Sequence, residues 1–147
     1  MNLPGNNPPG NKLQGISIKI ENAEVYSIGN IRALLAEIAA RLESLVENNQ
    51  PAMIDLNGLP FAPGEYEQLR QTLGQGEVSA RIEVIGTSEI IETRYPGVWW
   101  ATHYNVEGDI VADIIEIAWL PDILRSQAED AFEGLQRLKE LLDERGA

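Results

Sequence analysis

The hydrophobic positions of this chain change period twice, and the changes outline its elements. From about Asn30 to Asn48, Ile31, Leu34, Leu35, Ile38, Leu42, Leu45 and Val46 recur at helical spacing, with Glu37 and Arg41 set as a supporting i,i+4 pair. The run stops at "ENNQP". "AMIDL", Ala52 to Leu56, is short and apolar and reads as a strand. "APGEYEQLRQTLG" places Pro63 at the first position of a second helix and Gly74 just past its end.

The period then falls to two. "EVSARIEVI" alternates Val78, Ala80, Ile82 and Val84 with Ser79, Arg81 and Glu83. "SEIIETR", "VWWATHYN" and "DIVADIIEIAW" follow as further strand-like segments. Helical spacing returns at the end: Ser126 and Glu129 have capping-box spacing, and Ala128, Phe132, Leu135, Leu138 and Leu142 share one side. That helix is shorter than three heptads, so packing within the chain is expected rather than a free coiled coil. The order predicts an α+β fold: a four-stranded antiparallel meander sheet with helices packed on one face, plus one short additional strand.

Turn chemistry sets the expected register. A Glu107-Gly108 turn opposes Tyr104 to Val111, Thr102 to Asp113 and Trp100 to Ile115. A Gly86-Thr87 turn opposes Ile82 to Ile91 and Arg81 to Glu92. "YPG" leaves one residue of freedom between these hairpins, and a one-residue slip exchanges the faces of every side chain. Joining apolar to apolar puts Val78, Ala80, Ile82, Val84 and Ile91 beside Trp100, Tyr104, Val111, Ile115 and Ile117. The opposite face then receives Arg81, Glu83, Glu92, Arg94, Trp99, His103, Ile114 and Glu116. Trp100 is expected in the core and Trp99 on the more exposed side.

Composition narrows the function. The 147 residues suit a single domain, expected over residues 16–147 behind a flexible leader, residues 1–15. That leader, "MNLPGNNPPGNKLQG", lacks the basic start and apolar stretch of a signal peptide. No apolar run nears the roughly 20 residues of a membrane span, so no membrane insertion is expected and the cytoplasm is the expected location. The lack of cysteine excludes disulfides, thiolate metal sites and cysteine nucleophiles. A formal charge of −12 argues against nucleic-acid binding and suits a basic partner, or solubility alone.

No catalytic constellation stands out. His103, the single histidine, has no acidic partner in the expected register and reads as a hydrogen-bonded or solvent-facing structural residue. Ser88 and Ser79 lie outside any nucleophile motif and have no histidine opposite them in that register. "GNNPPGNKLQG" lacks the strand–loop–helix setting of a phosphate loop. Asp55 reads as a cap of the following turn. No catalytic, cofactor-binding or metal-binding residue is therefore expected. The candidate surface is a partner-binding patch, Trp99 and Ile114 as anchors with His103, Arg94, Glu92 and Glu116 around them.

"LGQGEVSARI", "ETRYPGVWW" with the following His103, and "IEIAWLPDIL" occur in this order within the run from Ile54 to Leu124. In this the chain resembles the HupH/HyaF/HoxQ family of hydrogenase expression and formation proteins, over roughly Ile31 to Leu124. The resemblance implies a non-enzymatic, chaperone-like accessory protein for maturation of a [NiFe] uptake hydrogenase. It also implies a hydrogenase subunit precursor as partner, the iron–sulfur small subunit before the large, or another maturation protein. The family brings no established catalytic residues. Most members are longer, and this chain holds little beyond one copy of their C-terminal conserved region, which leaves pairing with a second copy open. The alternative function is metal delivery, with His103 and carboxylates meeting across a dimer. An enzyme would need a deep pocket lined by Asp55, His103 or Glu92.

Overall fold

The computed structural model describes residues 15–146, with side chains described from Ile31 onward. The expected leader therefore lies outside the described residues except for Gly15, which opens a helix. The element order is α1 (Gly15–Asn48), β1 (Ala52–Asp55), α2 (Glu65–Leu73), β2 (Ser79–Val84), β3 (Gly86–Glu92), β4 (Val98–Tyr104), β5 (Ile110–Ile117) and α3 (Ala128–Gly146). Short 3₁₀ turns occupy Leu56–Gly58 and Asp122–Leu124. α1 begins well before Asn30, where the apolar spacing first becomes regular.

The sheet is antiparallel and five-stranded, in the order β1-β5-β4-β3-β2. It is the expected α+β meander, with the short additional strand on the β5 edge. α1 and α2 cover one face. Ile31, Leu34, Ile38 and Leu45 of α1 and Leu69 and Leu73 of α2 bury against Ile54, Val98, Trp100, Ile115 and Ile117. Val46, read as part of the apolar stripe, is exposed instead. α2 starts at Glu65 with Gly64 as its N-cap, so Pro63 sits in the preceding turn and not in the helix. Gly74 ends α2 as expected, at φ 64°, its N–H donating to the Arg70 carbonyl.

Two registers match the sequence reading and one does not. Thr102 opposes Asp113, Trp100 opposes Ile115 and His103 opposes Ala112. Beyond His103 a bulge pairs Tyr104 with Ile110 instead of Val111. Its cause is a longer loop: the Asn105 side chain accepts from the Glu107 and Asp109 N–H groups, which replaces the two-residue turn. β3 and β4 join as expected, Ile91 beside Trp100 and Glu92 beside Trp99. The β2–β3 hairpin is the correction. It turns at Ile85, not at Gly86-Thr87, and opposes Ile82 to Ser88 and Arg81 to Glu89. The slip is an odd number of residues, so Ala80 and Ile82 move to the Trp99 face, and Arg81 faces Glu89 at 3.6 Å instead of Glu92.

Trp99 is the second correction. After β5 the chain reverses through "AWLPDIL", and Leu124 packs on Ile90, Trp99 and Ala101. Trp99 is 3% exposed, and its indole N–H donates to the Ala118 carbonyl at 3.0 Å. The third correction is α3. No residue of it is buried, and Phe132, Leu135, Leu138, Leu141 and Leu142 are all exposed, so the expected packing within the chain does not occur.

Candidate functional site

Of the two sheet faces, the one under α1 and α2 is occupied by structure. Its polar centre is Asp113, buried at an inward position of β5. One carboxylate oxygen accepts from the Trp100 indole N–H at 2.6 Å and the Thr102 hydroxyl at 3.0 Å. The Tyr66 hydroxyl donates to the other at 2.5 Å. Tyr66 stacks edge-on against Trp100, and the Arg70 guanidinium lies 4.6 Å above the same indole. These groups tie α2 to β4 and β5 and give each carboxylate oxygen a donor. Sequence reasoning opposes Thr102 to Asp113 without asking what a carboxylate does at an inward position of an apolar strand. That position is the available signal.

Burial, and then the hydrogen bond to Asp113, push the Tyr66 hydroxyl from 10.0 up to about 12. A tyrosine with a folded-state pKa above its unfolded value holds its proton more tightly when folded. The stability it adds is therefore complete below pH 10 and is lost as pH rises from there through about 12. Denaturant titrations across that window are expected to show a loss of stability that Tyr66→Phe lacks. Identical profiles would show that Tyr66 ionises as freely as an exposed phenol.

The other face carries most of the candidate patch. Glu92, Trp99 and Glu116 form one cross-strand row, Ala101 and Ile114 lie in the next, and Ser88, His103 and Ala112 form a third. The structure thus brings Trp99, His103, Glu92, Ile114 and Glu116 onto one face, with Trp99 beneath its covering turn and the other four half-buried. Arg94 stands apart: it is exposed, and its guanidinium lies against Gly74 at the end of α2. Burial, and then the charge of Asp122, raise the Glu116 carboxyl above its ordinary value.

His103 has a partner that the expected β3–β4 register implies but the sequence reading missed. Ser88 lies opposite it, with its hydroxyl oxygen 2.7 Å from Nδ1. Glu92 is four residues along the strands from this pair, about 13 Å at the usual rise. Asp55 lies on the outer strand β1 and caps its own turn, accepting from the Asn57 N–H at 3.0 Å. Asp55, His103 and Glu92 therefore do not converge on one pocket. Among the described residues no three His, Asp or Glu side chains gather as metal ligands.

Beside this face, a groove of about 610 Å³ runs between the β2–β3 hairpin and the start of α3, lined by Ile82, Ile85, Ser88, Ile123 and Ala131 among others. It leads from the half-buried sheet face toward the exposed stripe of α3. Trp119, Leu120 and Ile123, within the covering turn itself, are also exposed. No helix among the described residues is long and apolar enough to cross a membrane.

An α+β domain with one filled sheet face and a partly open second face bordered by apolar side chains is a class suited to protein contacts. The family model for the HupH hydrogenase expression protein, C-terminal conserved region, matches residues 28–144, and the chain belongs to that family. A solved structure of hydrogenase expression protein HupH from Thiobacillus denitrificans has the same fold at a TM-score of 0.76 and 39% identity, covering 79% of this chain and 97% of that one. Hydrogenase expression/formation protein HoxQ of Azotobacter vinelandii is 29% identical over 91 residues, 62% of this chain and 32% of that protein. HupH of Rhizobium leguminosarum bv. viciae is 31% identical over 94 residues, 63% of this chain and 33% of that protein. The chain matches about a third of the length of these relatives.

Proposed function

We propose that this chain is a non-enzymatic accessory protein of [NiFe] hydrogenase maturation, acting in the cytoplasm by binding the precursor of a hydrogenase subunit, the small subunit in particular. The family assignment supports the pathway. The observation that carries the binding reading is α3: a helix of 19 residues with an apolar stripe of the width that normally faces a core, here left open. The proposed surface runs from that stripe through the groove to Ile114, His103 and Glu116, with Glu92 and Arg94 at its rim. Trp99 supports this surface from below.

The test is co-purification of the small-subunit precursor with wild type and with a Leu135→Asp/Leu138→Asp variant. Losing the burial of two leucines in the complex costs about 1.5–3 kcal/mol each, so binding should weaken at least about a hundredfold. The variant should keep its helical circular dichroism, because neither side chain is buried in the free protein. Capture of the precursor by this variant as efficiently as by wild type would overturn the surface.

A further inference from the structure

We infer that a cavity between α1 and the loop leading into α2 is a binding site for an organic cation, an ammonium or guanidinium head on a short apolar stem. It stands apart from the proposed partner surface and does not depend on it. The cavity is about 230 Å³ and is lined by Ile31, Ala33, Leu34, Glu37, the Leu59–Phe61 segment and Glu65. That is below the roughly 300–1,000 Å³ of sites for drug-sized ligands, and closer to the size of one side chain.

Among the described residues its walls are apolar except for two carboxylates, and none that lines it is basic. Glu65 is the telling one. It is 0% exposed, the most buried acidic residue described. One of its oxygens accepts from the Ala62 N–H at 2.5 Å, which closes the turn before α2. The other oxygen is buried and has no hydrogen-bond partner among the described residues. The helix start accounts for a carboxylate here, since its dipole favours negative charge. It does not account for the second oxygen, because a buried acceptor left unpaired costs about 1–3 kcal/mol.

A donor from a ligand would remove that cost. A water alone fits poorly: buried waters are held by two to four polar partners, and the lining here is mainly hydrocarbon. An anion is excluded by the two carboxylates, and a purely apolar guest would leave the Glu65 oxygen unpaired. A cationic head on Glu65, reached when the side chains that enclose this oxygen in the empty cavity part, with its stem along Leu34, Leu59 and Phe61 satisfies both. Glu37 lines the cavity from the exposed surface of α1, where it already faces Arg41 at 3.6 Å. The same chemistry is offered by a free alkylamine and by a lysine side chain of a peptide.

The experiment is a titration of the full chain with n-butylammonium, n-butanol and the peptide acetyl-Ala-Lys-Ala-amide, followed by the nuclear magnetic resonances of Leu34 and Phe61. Saturable shifts with butylammonium, at least about tenfold weaker with butanol, are expected. Glu65→Gln should weaken butylammonium binding at least about tenfold. Ala33→Phe, which adds bulk at an exposed position on the cavity wall, should abolish it while leaving Glu65 in place. Tighter binding of the peptide than of the amine would assign the cavity to a protein side chain, and the reverse to a free amine. Either supports the cation site. Equal binding of butanol and butylammonium, binding unaffected by both substitutions, or no saturable shift with either cationic probe would overturn it.

Discussion

Asp113→Ala is expected to lower the unfolding free energy by about 2–6 kcal/mol, because it leaves two buried donors unpaired at about 1–3 kcal/mol each. Three donors converge on this carboxylate: the Trp100 indole N–H, the Thr102 hydroxyl and the Tyr66 hydroxyl. Trp100 and Thr102 are buried and cannot turn to solvent, so each is left unpaired, whereas half-buried Tyr66 can find water. The edge-on Tyr66–Trp100 contact and the Arg70 position over the indole loosen with the same change. Asp113→Asn keeps one carbonyl acceptor for Trp100 and Thr102, so it should cost less, about 1–2 kcal/mol. Urea unfolding followed by tryptophan fluorescence measures both, since Trp99 and Trp100 are buried in the folded state. A loss below about 1 kcal/mol for Asp113→Ala would mean that the bonds contribute no more than an ordinary exposed pair.

Gly86→Ala is the second large effect, expected to cost about 2–5 kcal/mol from left-handed strain and overpacking together. Gly86 has φ +79°, and a Cβ placed there would lie 2.1 Å from the Tyr104 carbonyl oxygen. That atom belongs to the backbone at the end of β4, so the clash cannot be relieved by a side-chain rotation. Gly108 provides the comparison: its φ is +90°, yet nothing lies within 4 Å of an added Cβ. Gly108→Ala should therefore cost only the conformational part, about 1 kcal/mol. The difference between the two variants measures the close approach of the β2–β3 hairpin to β4. Equal losses would show that the hairpin shifts to accommodate the methyl group at no cost.

Both effects rest on features that a linear reading only half displays. The alternation of β5 places Asp113 on the same side as Ile115 and Ile117, and turn chemistry alone is enough to oppose it to Thr102 across the β4–β5 hairpin. That Tyr66 reaches it from α2 depends on how the helix settles on the sheet, 47 residues away in sequence. Glu65 is similar. Its place at a helix start is local information, but its burial against α1 is not. The Ser88–His103 contact was legible: once Ile91 stands beside Trp100, counting three residues along each strand opposes Ser88 to His103.

The sequence by itself determined the α+β class, the meander of four strands, the inward side of Trp100 and the family to which the chain belongs. Each of these follows from periodicity, turn residues or motif order, all of which are local along the chain. Tertiary structure alone decided which tryptophan could meet a partner and which helix was left without a core. Trp99 is buried because "AWLPDIL" folds back across its face, whereas no residue of α3 is buried. Apolar periodicity states that a surface has to be covered. It does not state by which segment, because two amphipathic elements can compete for one face and packing selects between them.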